Sequence, residues 1–134
     1  MKEGVSRRWL AKAENDLKAV KQLLTFEDAP TDVISFHCQQ SVEKYLKSYL
    51  TLVDVRVKKT HDLETILYLC IMEDKDFKEL DCEEISNLTF YAVEIRYLED
   101  YIELTISEAE ELYKIARKVR DFVRGKLKEK GLRW

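Results

Sequence analysis

Apolar residues recur along the chain at steps of three and four, not two, and this spacing predicts helices throughout. Trp9, Leu10, Ala13, Leu17, Val20, Leu23 and Leu24 form one stripe and predict a first helix from Ser6 to Phe26, with Ser6 as its N-cap. The stretch "EDAPTD" breaks the pattern. Pro30 disfavours helix just before itself, and Thr31 or Asp32 can cap a second helix that ends near Val53. A loop, "DVRVKKTHDL", leads to a short third helix capped by Thr60, with Leu63, Ile66, Leu67, Cys70 and Ile71 as its apolar positions. "MEDKDFKEL" reads as a charged connector.

Asp81 and Glu84 have capping-box spacing before a fourth helix, whose seam is Ile85, Leu88, Ala92 and Ile95. Beyond Arg96 that helix has two apolar sides. Tyr91, Ile95, Leu98 and Ile102 point one way, and Phe90, Val93, Tyr97 and Tyr101 nearly the opposite way. A lone bundle cannot bury both, so either the chain bends there or a second subunit covers the aromatic side. Ser107 and Glu110 have capping-box spacing for a last helix with Leu112, Ala116, Val119, Val123 and Leu127 inward. Connectors of this length make antiparallel neighbours. The expected fold is all-α, an up-and-down bundle of four long helices plus one short helix, in a single domain over residues 1–134.

Composition narrows the function classes. Three glycines and one proline leave little room for turn-rich β structure, and 134 residues can enclose one core without staples. No apolar run is long enough to span a membrane, and the N-terminus lacks an apolar signal core, so a cytoplasmic protein with no membrane partner is expected. Cys38, Cys70 and Cys82, at unrelated spacings, fit buried reduced thiols better than a disulfide framework. With only His37 and His61 to add, a metal site is poorly supplied, and no cofactor is expected. The net charge of −3 argues against a uniformly basic nucleic-acid coat. Residues 111–134 nevertheless carry nine lysines and arginines against three acids, which complements the dipole at the end of the last helix.

Candidate chemistry concentrates in the second helix, "SFHCQQSVEKYLKSYL". On a helical wheel Ile34, Cys38, Val42, Tyr45, Leu46, Tyr49, Leu50 and Val53 share one broad arc. His37, Gln40, Lys44 and Lys47 share the opposite one, with Gln39 and Glu43 on the border. Gln39 reads as a polar bridge between helices, because an amide beside a core must find partners. The row of His37, Gln40, Lys44 and Lys47 has two readings. It is a solvated face, or it faces an anion, since two lysines at this spacing can reach one phosphate.

The pieces "AENDLKAVKQLL", "FHCQQSVEKYLKSYL", "THDL" and "IRYLED", in that order, resemble the HEPN family (higher eukaryotes and prokaryotes nucleotide-binding domain) over nearly the whole chain. The resemblance implies a helical bundle that forms a homodimer and binds a nucleotide or RNA. It also implies a minimal nucleotidyltransferase as partner in a toxin–antitoxin-like pair. The family pattern and the lysine row together point to Lys44, Lys47, His61 and Arg96 for nucleotide or phosphate contact, supported by Gln39, Gln40, Glu43, Tyr97 and Tyr101.

Ribonuclease members of that family carry an arginine followed, after four to six residues, by a histidine. Here Tyr101 stands where a histidine would follow Arg96, and neither histidine of the chain lies beyond Arg96. A phenol with a pKa of about 10 is a poor base near neutral pH. No catalytic residue is therefore assigned. Arg56 and His61 in "RVKKTH" keep the four-residue gap but lie in a loop outside the family's catalytic position, where His61 can simply position the loop. Arg96 can equally pair with Glu99, Asp100 or Glu103, and Tyr97 and Tyr101 suit interface packing as well as base stacking. Two alternatives stay open: an active metal-independent ribonuclease toxin, and an interaction module with no nucleic-acid ligand.

Overall fold

A computed structural model of the chain describes residues 1–57, 59–92 and 103–134. The described residues form five α-helices, in order α1 (Lys2–Leu23), α2 (Thr31–Leu52), α3 (Leu63–Glu73), α4 (Cys82–Ala92) and α5 (Ile106–Glu129). A 3-10 turn, Lys75–Glu79, joins α3 to α4, and among the described residues there is no strand. The all-α bundle expected from periodicity is the fold observed.

α2 is the central helix and packs against α1, α3, α4 and α5. It can do so because its apolar arc is wide: Ile34, Cys38, Val42, Tyr45, Leu46, Tyr49 and Leu50 are all buried. α1 runs antiparallel to it, with Ser6 beside Ser48 at one end and Asp16 beside His37 and Lys44 further along. α5 is antiparallel to α1, tied by Arg7 to the Arg133 carbonyl and by Arg124 to Glu14. The seams predicted for α4 and α5 are buried at Ile85, Leu88 and Ala92, and at Leu112, Ala116, Val119, Val123 and Leu127.

Several helix ends differ from expectation, each for a local reason. α1 begins at Lys2, and Ser6 lies inside it, where its hydroxyl donates to the Ser48 carbonyl at 2.7 Å. A serine serves there because it is small enough for two helices to approach and still satisfies its own hydroxyl. α2 starts at Thr31 with Pro30 as N-cap and no side-chain cap bond. Asp62, not Thr60, caps α3 by accepting from the Glu64 amide, while Thr60 accepts from the Asp62 amide. The capping box of α5 is Thr105 with Glu108, not Ser107 with Glu110, and both of its reciprocal bonds are made. Asp81 accepts from the amides of Glu83 and Glu84, one half of the capping box that its spacing predicted.

The charged connector hides a core residue. Phe77, fully buried, sits between Tyr49 and Phe122 with ring centroids 4.6 and 4.9 Å away. One aromatic among acids and lysines has no period to reveal it. Lys126 of α5 clasps this turn by pairing with Asp74 and Asp76. Cys38 and Cys70 are buried free thiols, but Cys82 is exposed at the start of α4, contrary to the expectation of three buried cysteines.

α2 ends in a Schellman motif that sets the site. The Asp54 amide donates to the Thr51 carbonyl and the Val55 amide to the Leu50 carbonyl, with Asp54 at φ 61°. This left-handed residue turns the chain back toward the start of α1, where Lys2 holds the Asp54 carboxylate at 2.9 Å. The loop after α2 therefore runs beside the first turns of α1.

Candidate functional site

The polar row of α2 is only partly open to water. α1 covers it, and each lysine meets a buried carboxylate. Asp16 of α1, 8 % exposed, accepts from Lys44 Nζ at 2.6 Å through one oxygen and contacts His37 Nδ1 at 2.9 Å through the other. Glu43 of α2, 3 % exposed, holds Lys47 Nζ at 2.9 Å and His61 Nδ1 at 2.9 Å in the same way. The arrangement thus occurs twice: one buried carboxylate clamped between a lysine and a histidine. Such a carboxylate is tolerable in the interior only because both oxygens are partnered.

The clamps fix the imidazoles. A carboxylate can only accept, so Nδ1 is the donor in both rings, and Nε2 is left for another partner. The His61 side chain is 74 % exposed and that of His37 31 %, so both rings meet solvent. Lys44 and Lys47 are more covered, and each retains N–H donors beyond the one given to its carboxylate.

The two adjacent glutamines lock this seam. Gln39, 1 % exposed, donates through Nε2 to the His61 carbonyl at 3.1 Å and approaches Glu43 at 3.5 Å. Its Oε1 accepts from Gln40 Nε2 at 2.8 Å. Gln39 thus bridges α2 to the loop before α3, not to another helix as its border position suggested. His61 lies in that loop just ahead of the Asp62 cap, and its ring reaches back to Glu43, so it does position the loop. Arg96, Tyr97 and Tyr101 lie outside the described residues, as does most of the second apolar side of α4.

Beside Lys47 a groove of about 610 Å³ opens between α1 and the loop after α2. Lys2, Trp9, Lys47, Thr51, Arg56 and Lys59 are among its lining residues. Lys47 Nζ stands 5.5 Å from the centre of the Trp9 ring. A smaller groove of about 290 Å³, lined by Val5, Arg8, Trp9 and Lys12, adjoins the same indole. The structure therefore joins Gln39, Gln40, Glu43, Lys47 and His61 into one network, with Lys44 in the second clamp.

Sequence reasoning missed Asp16 and the groove. An acid directly before Leu17 of the α1 stripe, in "AENDLKAV", was the available signal for Asp16. For the groove the signal was the α1 row Lys2, Val5, Arg8, Trp9 and Lys12, whose spacing of three and four puts these residues on one face.

The chain is an all-α bundle whose central helix carries a polar seam beside a groove lined mainly by cationic and apolar residues. The model of the HEPN domain matches residues 6–127, and the chain belongs to the HEPN family, a family of nucleotide-binding or ribonuclease-like domains. No curated protein and no solved structure matches the chain. Among the described residues, no helix is long and apolar enough to cross a membrane, and no three acids, histidines or cysteines are grouped to hold a metal ion.

Proposed function

We propose that the protein is a non-catalytic HEPN domain that binds a nucleotide or RNA through the polar seam of α2. The observation that carries this reading is the doubled clamp. Two imidazoles and two lysines are held in fixed positions by buried carboxylates, so their outward N–H groups are organised before any ligand arrives. Lys44, Lys47 and His61 contact phosphate oxygens, and Arg96 joins them on the strength of the family pattern. Gln39, Gln40 and Glu43 hold the frame, and Tyr97 and Tyr101 add to the same surface from a paired subunit.

In this reading the protein is a homodimer, and it docks a minimal nucleotidyltransferase as one half of a toxin–antitoxin-like pair. Phe90, the first member of the aromatic side of α4, is 40 % exposed, which supports a covering partner. Titration of ATP and of a short labelled RNA tests the ligand. Affinity should fall as salt rises, and by about tenfold in Lys44→Ala or Arg96→Ala, each checked for native helicity. Absence of binding to either ligand at low salt would overturn the reading.

One observation favours a second reading, a metal-independent ribonuclease. Each histidine has Nδ1 held by a carboxylate, which leaves Nε2 able to take or give a proton. RNA cut in the presence of a chelator, and left intact by His61→Gln, would establish it. Uncut RNA leaves the binding role standing.

A further inference from the structure

We propose that the two grooves flanking Trp9 form a second contact surface, one that takes a single-stranded polynucleotide with a base against the indole and phosphates on either side. This inference rests on the nucleotide- or RNA-binding reading and extends it to a site off the α2 row. Three features of the surface carry it.

The first is the charge. Arg8, Lys12, Arg56 and Lys59 are exposed, and none has a carboxylate within ion-pair distance among the described residues. Lys2 and Lys47, by contrast, are matched by Asp54 and Glu43. In a chain whose formal charge is −3, and whose residues 1–110 are strongly acidic, the two grooves are lined by six cations (Lys2, Arg8, Lys12, Lys47, Arg56 and Lys59) against one acid, Asp54. An ordinary solvated face mixes both signs.

The second is the indole. Trp9 is only half buried, and it contributes to the walls of both grooves. The cation of Lys47 lies over it, 5.5 Å from the ring centre. Aromatic rings set between cations are how proteins bind unpaired nucleic-acid strands, because every base has a face to stack and every linkage a charge.

The third is the order of parts. Arg8 and Lys12 line one of the two grooves that share Trp9, and Arg56 and Lys59 line the other. A mononucleotide has phosphate on one side of its base and would leave one pair unused. An internal residue of a strand has phosphate on both. Lys47 belongs both to the Glu43 clamp and to the larger groove, so a strand lying over Trp9 continues onto the polar seam.

Fluorescence tests this directly. In the full chain carrying Trp134→Phe, Trp9 is the remaining tryptophan, and its emission reports on the groove. Titration with a twelve-residue oligouridylate should quench it saturably, with affinity at least about tenfold above that for UMP. The double variants Arg8→Ala with Lys12→Ala, and Arg56→Ala with Lys59→Ala, should each weaken binding about tenfold and reduce the salt slope by about two. These side chains are exposed, so the variants should keep the wild-type fold. Trp9→Leu should weaken binding and Trp9→Phe restore much of it.

RNA that binds without changing Trp9 emission, and with equal affinity in both double variants, overturns the Trp9 surface while leaving the family reading intact. No binding of UMP, ATP or RNA at low salt defeats both. Equal quenching by an oligoglutamate peptide shows a surface selective for charge alone, and that also overturns the proposal.

Discussion

Glu43 shows how much one side chain carries. Its two oxygens gather Lys47, His61 and Gln39 around one buried carboxylate, and these bonds pin the loop before α3 to the middle of α2. Removing the acid leaves Lys47 largely covered and unpaired. Glu43→Ala should therefore cost about 3 kcal/mol, in the range for breaking one half of a buried ion pair. Glu111→Ala, which removes the exposed pair with Lys114, should cost less than about 0.5 kcal/mol. Urea denaturation of both variants measures the contrast, and similar losses would mean that these bonds are no stronger than a surface pair. Cys38, next to Asp16 in the core, is the chemical opposite of a reactive residue. Burial pushes its thiol up to about 12, and the Asp16 charge adds to the rise.

At the scale of elements, the ends of helices do as much as their faces. α5 stops in a Schellman motif in which the Gly131 amide donates to the Lys128 carbonyl and the Leu132 amide to the Leu127 carbonyl. Gly131 sits at φ 84° with open space around its Cβ position, so only the backbone conformation requires glycine there. Gly131→Ala should lower stability by about 1 kcal/mol without disturbing packing. Thermal melting reads this, and an unchanged midpoint would show that the turn relaxes freely. α2 ends in the same motif with Asp54 in the left-handed position, where its carboxylate gains Lys2 as a partner. That turn creates the larger groove, because it returns the loop to the side of Trp9. The element with the best apolar periodicity, α5, thus contributes packing, and the irregular chain after α2 contributes the candidate surface.

For the whole molecule, the buried titratable groups set how stability responds to pH. Burial raises the thiols of Cys38 and Cys70 and the phenols of Tyr45 and Tyr49, and pairing with Asp74 raises Lys126. A group raised in the folded state contributes stability that is complete below its unfolded pKa and is lost as pH climbs through the folded value. The earliest of these unfolded values is the ordinary thiol pKa of 9.0, and the folded Cys38 and Tyr49 values are about 12. Stability should fall across that window. Asp74 acts on the other side: its bond with Lys126 lowers it below 3.8, so its contribution is present above that pH and is lost in acid. The urea midpoint should be level near pH 8 and drop steadily above about pH 9.5. A level midpoint through about pH 11 would mean these groups are open to solvent.

The α2 arc, the α1 stripe and the α5 seam were legible in the sequence because helical burial repeats every three to four residues, a pattern carried by neighbours in the chain. The HEPN pattern was legible for a like reason, since its pieces are short and keep their order. Phe77 was not, because a single buried ring has no period. Nor was the pairing of Lys44 with Asp16, twenty-eight residues apart, or of His61 with Glu43, eighteen apart. A wheel placed the lysines on a polar face but could not say that a second helix covers it. The sequence by itself determined that this chain is helical, which faces are apolar and which family it joins. Only tertiary structure decided which acid meets which base, because charges act through space and the distance between them is set by how helices cross.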